Sequence, residues 1–208
     1  MRTLKEFLRF YFQHLDQFET RIKAFRINWK SRILEELVFC LCTPQTSPLK
    51  ADLATKRIVS YYEKVEKPNP LVIQKILRSK KHYVRFHITK SKNISEALKQ
   101  FQSIKKFLLS GYSAEQEREY LVKNVKGLSF KEASHFLRNI GRSGLAIIDR
   151  HVIRFLAEIK VVRIVKSLDL YSYIKVESQI REFCLKNFLN IDAFDLAVFT
   201  FKTGFFLK

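Results

Sequence analysis

Val125-Lys126-Gly127-Leu128-Ser129-Phe130-Lys131-Glu132-Ala133-Ser134-His135-Phe136-Leu137-Arg138-Asn139-Ile140-Gly141 reads as the end of one helix, a tight turn and the start of another. Gly127 can turn a helix end because it has no Cβ to clash. Ser129 stands at the N-cap of the next helix, and Glu132, three residues on, suits a capping box. Ala133, Phe136, Leu137 and Ile140 fall on one face of that helix. Such a turn aims backbone N–H groups and the positive end of a helix at an anion. The same pattern also serves as a plain structural turn, so its meaning depends on the rest of the chain.

Helical spacing continues on both sides. Ser31 to Leu41 is an apolar-rich helix that stops near Pro44. Ser47-Pro48 and Asn69-Pro70 each place a capping residue before proline at the first helical position. Ser95 is expected to open a helix carrying Ala97, Leu98, Phe101 and Ile104. Ser113 and Gln116 form a capping box ahead of Tyr120, Leu121 and Val125. Asp149 to Ile159 carries Val152, Ile153, Leu156 and Ile159, and two further apolar segments cover Ile174–Phe188 and Asp192–Phe201. Lys160–Val165 is the one strand-like run, short enough to be a helix extension instead. With no Asn-Gly or Asp-Gly hairpin, the expected class is all-α, with two helical lobes flanking a cleft. Hinges are expected near Lys67–Pro70 and Lys160–Ser167.

The 208 residues, 47% hydrophobic, suffice for one domain or two small lobes. Lys and Arg number 39 against 20 Asp and Glu, a net charge of +19 that draws polyanions, either nucleic acid or an anionic membrane surface. Charges at Arg2, Lys5, Glu6 and Arg9 interrupt any signal-peptide core, and no window nears the roughly 20 apolar residues of a membrane span. Cys40, Cys42 and Cys184 lie in apolar runs, which suits buried thiols in a reducing, intracellular compartment. Three cysteines cannot make a four-thiolate metal site, and the five histidines include no His-x-x-x-His pair.

Lys131 is the second residue of its helix, where a cation opposes the macrodipole at a cost of a few tenths to about 1 kcal/mol. A lysine held there should release its proton more easily, and a neutral amine is what a nucleophilic lysine needs. A solvated lysine leaning into water is the alternative. Asp149, between Leu145-Ala146-Ile147-Ile148 and the helix at Val152, is accounted for as an N-cap. A carboxylate fixed at a helix start could also stabilise positive charge on a sugar that is losing its base.

The stretch from Gly127 to Gly141, with Ala146-Ile147-Ile148-Asp149-Arg150-His151, resembles the helix-hairpin-helix DNA glycosylases of the endonuclease III superfamily. Lys-Glu-Ala-Ser-His-Phe-Leu-Arg-Asn at 131–139 is similar to the archaeal and bacterial type-2 8-oxoguanine DNA glycosylase/lyases. The resemblance spans residues 1–208 as a single two-lobed domain, with the hairpin at about 117–141. It implies that Lys131 attacks the sugar C1′, that Asp149 is its electrostatic partner, and that β-elimination through the resulting imine cuts the strand. It places Phe86 and Phe199 about the flipped base, and Lys208, the last residue, where a terminal carboxylate accepts N7–H. Gln45, in the turn Thr43-Pro44-Gln45, falls on a loop that fills the gap left by the base; a plain turn residue is an equal alternative. Lys126, Gly127 and Ser129 fall on the phosphate-binding turn, where relatives often hold a monovalent cation on backbone carbonyls. The implied partner is duplex DNA containing 8-oxoguanine, bound by a monomer with no other cofactor, inside the cell (in a prokaryote, the cytoplasm or nucleoid). Ser129 departs from the family's usual Gly, Phe199 from a larger aromatic, and the charge excess is high. A related lesion, or DNA binding without catalysis, are the competing readings.

Overall fold

A computed structural model describes residues 3–163 and 169–205. The described residues form α1 (Leu4–Gln13), α2 (Leu15–Arg26), α3 (Trp29–Cys42), α4 (Pro48–Tyr62), α5 (Pro70–Leu77), α6 (His87–Lys99), α7 (Phe101–Leu108), α8 (Ala114–Asn124), α9 (Phe130–Asn139), α10 (Arg150–Glu158), α11 (Leu170–Lys186) and α12 (Ile191–Thr203), with one 3-10 turn at Lys80–His82. No strand occurs among them, as the all-α reading requires. Lys160–Arg163, the described part of the strand-like run, is turn and coil.

The chain divides into two compact units, Met1–Ile27 with Gly141–Lys208, and Asn28–Ile140. The crossings are therefore Ile27/Asn28 and Ile140/Gly141, not the expected hinges. Lys67–Pro70 lies inside the second unit, and residues 160–163 belong to the first; 164–167 lie outside the described residues. Gly141 is required at its crossing: its φ is +82°, and a Cβ would sit 3.0 Å from Arg26 Cα.

The first unit has an aromatic core. Thr3 and Glu6 form a reciprocal capping box that starts α1, a helix the sequence reading did not assign, and α1 buries Phe7 and Tyr11. The Phe7 ring lies 4.5 Å from Phe155 of α10, and 6.0 and 5.4 Å from Phe194 and Phe201 of α12. Tilted and edge-on aromatic pairs of this kind add about 0.5–1.5 kcal/mol each beyond their burial.

The second unit is built on α3, whose Ile33, Leu37, Val38, Cys40 and Leu41 are buried and which packs on α4, α6 and α9. The caps at Ser47 and Asn69 form as read, accepting from Lys50 N and Leu71 N. Ser95 opens no helix. It sits inside α6 with its hydroxyl donating to Pro68 O at 3.0 Å, and the break comes instead at Gln100. Its expected apolar partners Ala97, Leu98, Phe101 and Ile104 are buried all the same. Cys40, Cys42 and Cys184 are buried thiols.

Candidate active site and nucleic-acid interface

The hairpin forms where the sequence places it. Ser113 and Gln116 cap each other at the start of α8. The chain then extends at Val125, turns at Gly127 with φ +96°, and closes with Leu128 N donating to Val125 O at 3.2 Å. A Cβ on Gly127 would meet Asn93 Nδ2 of α6 at 2.7 Å, so the turn lies directly on that helix. Lys126, Gly127 and Ser129 are exposed, as a phosphate-binding turn needs.

The expected Ser129–Glu132 capping box does not form. Ser129 is the N-cap of α9, but its hydroxyl donates to the Glu132 carboxylate instead of accepting a backbone N–H. The other carboxylate oxygen of Glu132 lies 2.7 Å from Lys131 Nζ. Lys131 therefore faces a carboxylate counter-charge as well as the positive helix end. Burial opposes ionisation of Glu132, but the Lys131 ammonium and hydrogen bonds to Lys131 and Ser129 outweigh it and hold the carboxyl below its usual value. Lys131 itself keeps 28% of its side chain exposed, so the amine is reachable.

The rest of the 131–139 motif is structural. Ala133, Phe136 and Leu137 are core. Ser134 accepts from buried Arg118 at 3.2 Å, and the Arg118 guanidinium stands 5.1 Å from the Phe130 ring centre, clamping α8 to α9. Asn139 donates to Glu36 of α3 at 2.8 Å and accepts from Arg138, while Arg32 pairs with Glu36 from the other side. His135 meets the Phe39 ring edge-on, and burial, with the Arg138 and Lys131 cations near it, holds it well below the usual imidazole range.

Two further candidates in the same unit share a rare backbone state. Gln45, between α3 and α4, has φ 53° and is exposed; Phe86, the N-cap of α6, has φ 59° and is half exposed. Non-glycine residues held left-handed cost of order 1–3 kcal/mol each and persist only where neighbours enforce them. The Arg85 guanidinium stands 4.9 Å from the Phe86 ring centre.

Asp149 belongs to the first unit. It is the N-cap of α10, accepting from His151 N at 2.8 Å and Val152 N at 2.9 Å. Both bonds fall on Oδ1, so capping does not use Oδ2. The segment leading to Asp149 is largely buried yet irregular, so its backbone groups need side-chain partners. Gly144 N donates to Asp192, Ala146 N to Glu177 and Ile148 N to Tyr173, and the Tyr173 hydroxyl donates to Ala146 O. None of these partners was singled out from sequence, since each lies 25 or more residues away. Phe199, on α12, is half-buried with its ring edge-on to His151 at 5.4 Å. Lys208 lies outside the described residues. Among those residues no group of three His, Cys, Asp or Glu side chains could hold a metal ion.

Fold and hairpin define a helix-hairpin-helix protein with a basic surface and a reachable amine on the hairpin's second helix. A family model described as 8-oxoguanine DNA glycosylase matches residues 18–189. The chain is 31% identical to the 8-oxoguanine DNA glycosylase/AP lyase of Fusobacterium nucleatum, covering 98% of this chain and 96% of that one. It is 35% identical to that of Saccharolobus islandicus, covering 90% and 92%. The crystal structure of the 8-oxoguanine DNA glycosylase of Thermotoga maritima superposes with a TM-score of 0.86 at 29% identity, covering 99% and 98%. That of the Methanocaldococcus jannaschii enzyme in complex with a 15mer DNA containing 8-oxoguanine does so at 0.84 and 28%, covering 97% and 99%. The chain belongs to the 8-oxoguanine DNA glycosylase family.

Proposed function

We propose that this chain is a bifunctional repair enzyme that excises 8-oxoguanine from duplex DNA and then cuts the strand as an abasic-site lyase. The observation that carries the chemistry is Lys131, a half-exposed amine two residues past the hairpin turn, in contact with the Glu132 carboxylate. Lys131 must give up a proton before it can attack, and the Glu132 carboxylate, ionised beside it, holds the amine in place. The neutral amine then bonds to C1′ as the bond to the purine nitrogen breaks and its electron pair leaves with the base. Asp149, fixed as a helix cap, supplies negative charge to the cationic sugar. The C1′–O4′ bond then breaks, the amine's second proton passing to the released C4′ oxygen, and the open imine makes the C2′ hydrogen acidic, so that its loss expels the 3′ phosphate.

The other residues take supporting roles. Phe86 and Phe199 stack on the flipped base. Gln45 occupies the vacated stack, and Lys126, Gly127 and Ser129 hold phosphate. The enzyme works as an intracellular monomer without a resident cofactor. A monovalent cation rests on carbonyls of the hairpin turn.

Borohydride trapping tests the reading. An 8-oxoguanine duplex with reductant should give a covalent protein–DNA band, and Lys131→Gln should abolish the band while still binding DNA. A band of wild-type strength from Lys131→Gln would remove Lys131 as nucleophile. DNA binding with no band from the wild-type protein would leave a non-catalytic DNA-binding protein.

A further inference from the structure

One buried cation has no part in the chemistry described so far. Lys90, in the middle of α6, is 7% exposed. Its amine donates to Cys42 O at 2.7 Å, Pro44 O at 2.7 Å and the Thr46 hydroxyl at 3.2 Å. An ammonium has three N–H donors, and the site offers three acceptors. Cys42 O is one of the carbonyls left unpaired at the C-terminus of α3, where a helix end favours positive charge. Burial lowers the amine to about 8, the groups acting on it being Cys42 on α3 and Glu132 and Lys131 on α9. Placing a charge there is unfavourable in itself, so it calls for a reason beyond packing.

The acceptors suggest that reason. Pro44 O and Thr46 Oγ1 flank Gln45, the strained residue at the tip of the turn. One helical turn before Lys90 stands Phe86, also left-handed, as the N-cap of the same helix. One turn further along the same face, Asn93 lies against the hairpin glycine. Helix α6 thus carries Phe86, Lys90 and Asn93 at i, i+4 and i+7, against three exposed elements.

We infer that Lys90 is a positioning residue for lesion recognition: its amine ties the Gln45 turn to α6, the helix that Phe86 caps. This rests on the proposed roles of Gln45 and Phe86 at the flipped base. It goes beyond them by naming what ties the turn of one to the helix of the other. A base still in its stack needs both residues, whereas a pre-made abasic site has no base to extrude or stack. Loss of Lys90 should therefore separate the enzyme's two activities.

The test compares single-turnover excision of 8-oxoguanine with incision at a pre-made abasic site, each corrected for the borohydride-trappable fraction. Lys90→Met should slow excision by about 10- to 100-fold, the scale of a misplaced binding group, and incision by less than about threefold on the same grounds. Thr46→Val removes one acceptor at little risk to folding and should move the excision-to-incision ratio in the same direction by a smaller factor. In the double variant the two effects should be less than additive, because they act through one bond. Leu98→Ala, a core change on the same helix, should leave the ratio unchanged. Equal loss of both activities in Lys90→Met, or a Thr46→Val ratio like that of Leu98→Ala, would overturn the inference. Failure of the wild-type protein to excise the lesion at all would instead sink the proposed function.

Discussion

At Asp149 two roles coincide on one side chain, and substitution can part them. Asparagine caps a helix about as well as aspartate, whereas alanine does not. Asp149→Asn should keep the bonds to His151 N and Val152 N and hold stability within about 0.5 kcal/mol. Its base release should fall about a thousandfold, if the carboxylate contributes about 4 kcal/mol to the transition state. Asp149→Ala should lose similar activity and also about 1 kcal/mol of stability. Near-normal excision by Asp149→Asn would reduce the residue to a cap. Glu132→Gln keeps an oxygen near Lys131 but removes the counter-charge that holds its amine in place, so trapping should slow by about 10- to 100-fold with DNA binding retained. Lys90 gives a pH signature with a definite sign. Its folded pKa, about 8, lies below the free value of 10.5, so between the two the unfolded chain binds more protons and stability rises with pH. Melting curves of wild type and Lys90→Met should therefore shift relative to one another in favour of wild type from pH 7 to 9.5. A constant difference would mean that folding leaves the proton affinity of the amine unchanged.

At the level of elements, the legible features were those whose partners lie a few residues away. Ser47-Pro48, Asn69-Pro70 and Ser113 with Gln116 each declare a helix start through a local hydrogen bond, and each forms. Ser95 misled because a buried serine satisfied by Pro68 O looks, in sequence, like a cap. Lys131 and Asp149 were legible through the motif they sit in, but the ion pair with Glu132 was not, because a capping box and a turned-back carboxylate share one spelling. Lys90 was invisible: its carbonyl partner Cys42 is 48 residues away, and a lysine on a helix ordinarily reads as solvated. Glu36 and Asn139 are 103 residues apart for the same reason. The hairpin itself allows a matched comparison. Gly111 and Gly127 both have positive φ, at +80° and +96°, but a Cβ on Gly111 meets nothing within 4 Å whereas one on Gly127 meets Asn93. Gly111→Ala should cost about 1 kcal/mol through backbone conformation alone. Gly127→Ala should cost more and also weaken duplex binding, because Asn93 and the turn must shift. Equal melting temperatures for the two variants would show that the turn does not depend on close approach to α6.

Over the whole chain the dominant quantity is charge. A net +19 on 208 residues means that binding to any duplex, damaged or not, is driven largely by release of counterions from phosphate. The logarithm of the binding constant should fall linearly with the logarithm of salt, with a slope of about −0.9 for each phosphate neutralised. With six to ten such contacts, undamaged duplex should lose roughly 10³- to 10⁵-fold in affinity between 50 and 200 mM salt. Excision from a fully bound lesion duplex depends on groups that act at the sugar and base, so its single-turnover rate should change little over that range once enzyme is in excess. The same division sorts residues. Lys126→Gln removes a cation from the exposed turn and should flatten the slope by about one unit without altering the saturated rate. Lys131→Gln should do the reverse, abolishing chemistry while leaving the slope within about one unit of wild type. A nearly salt-independent affinity for undamaged DNA would mean that the positive surface is not what holds the duplex, and that base-specific contacts carry binding as well as recognition.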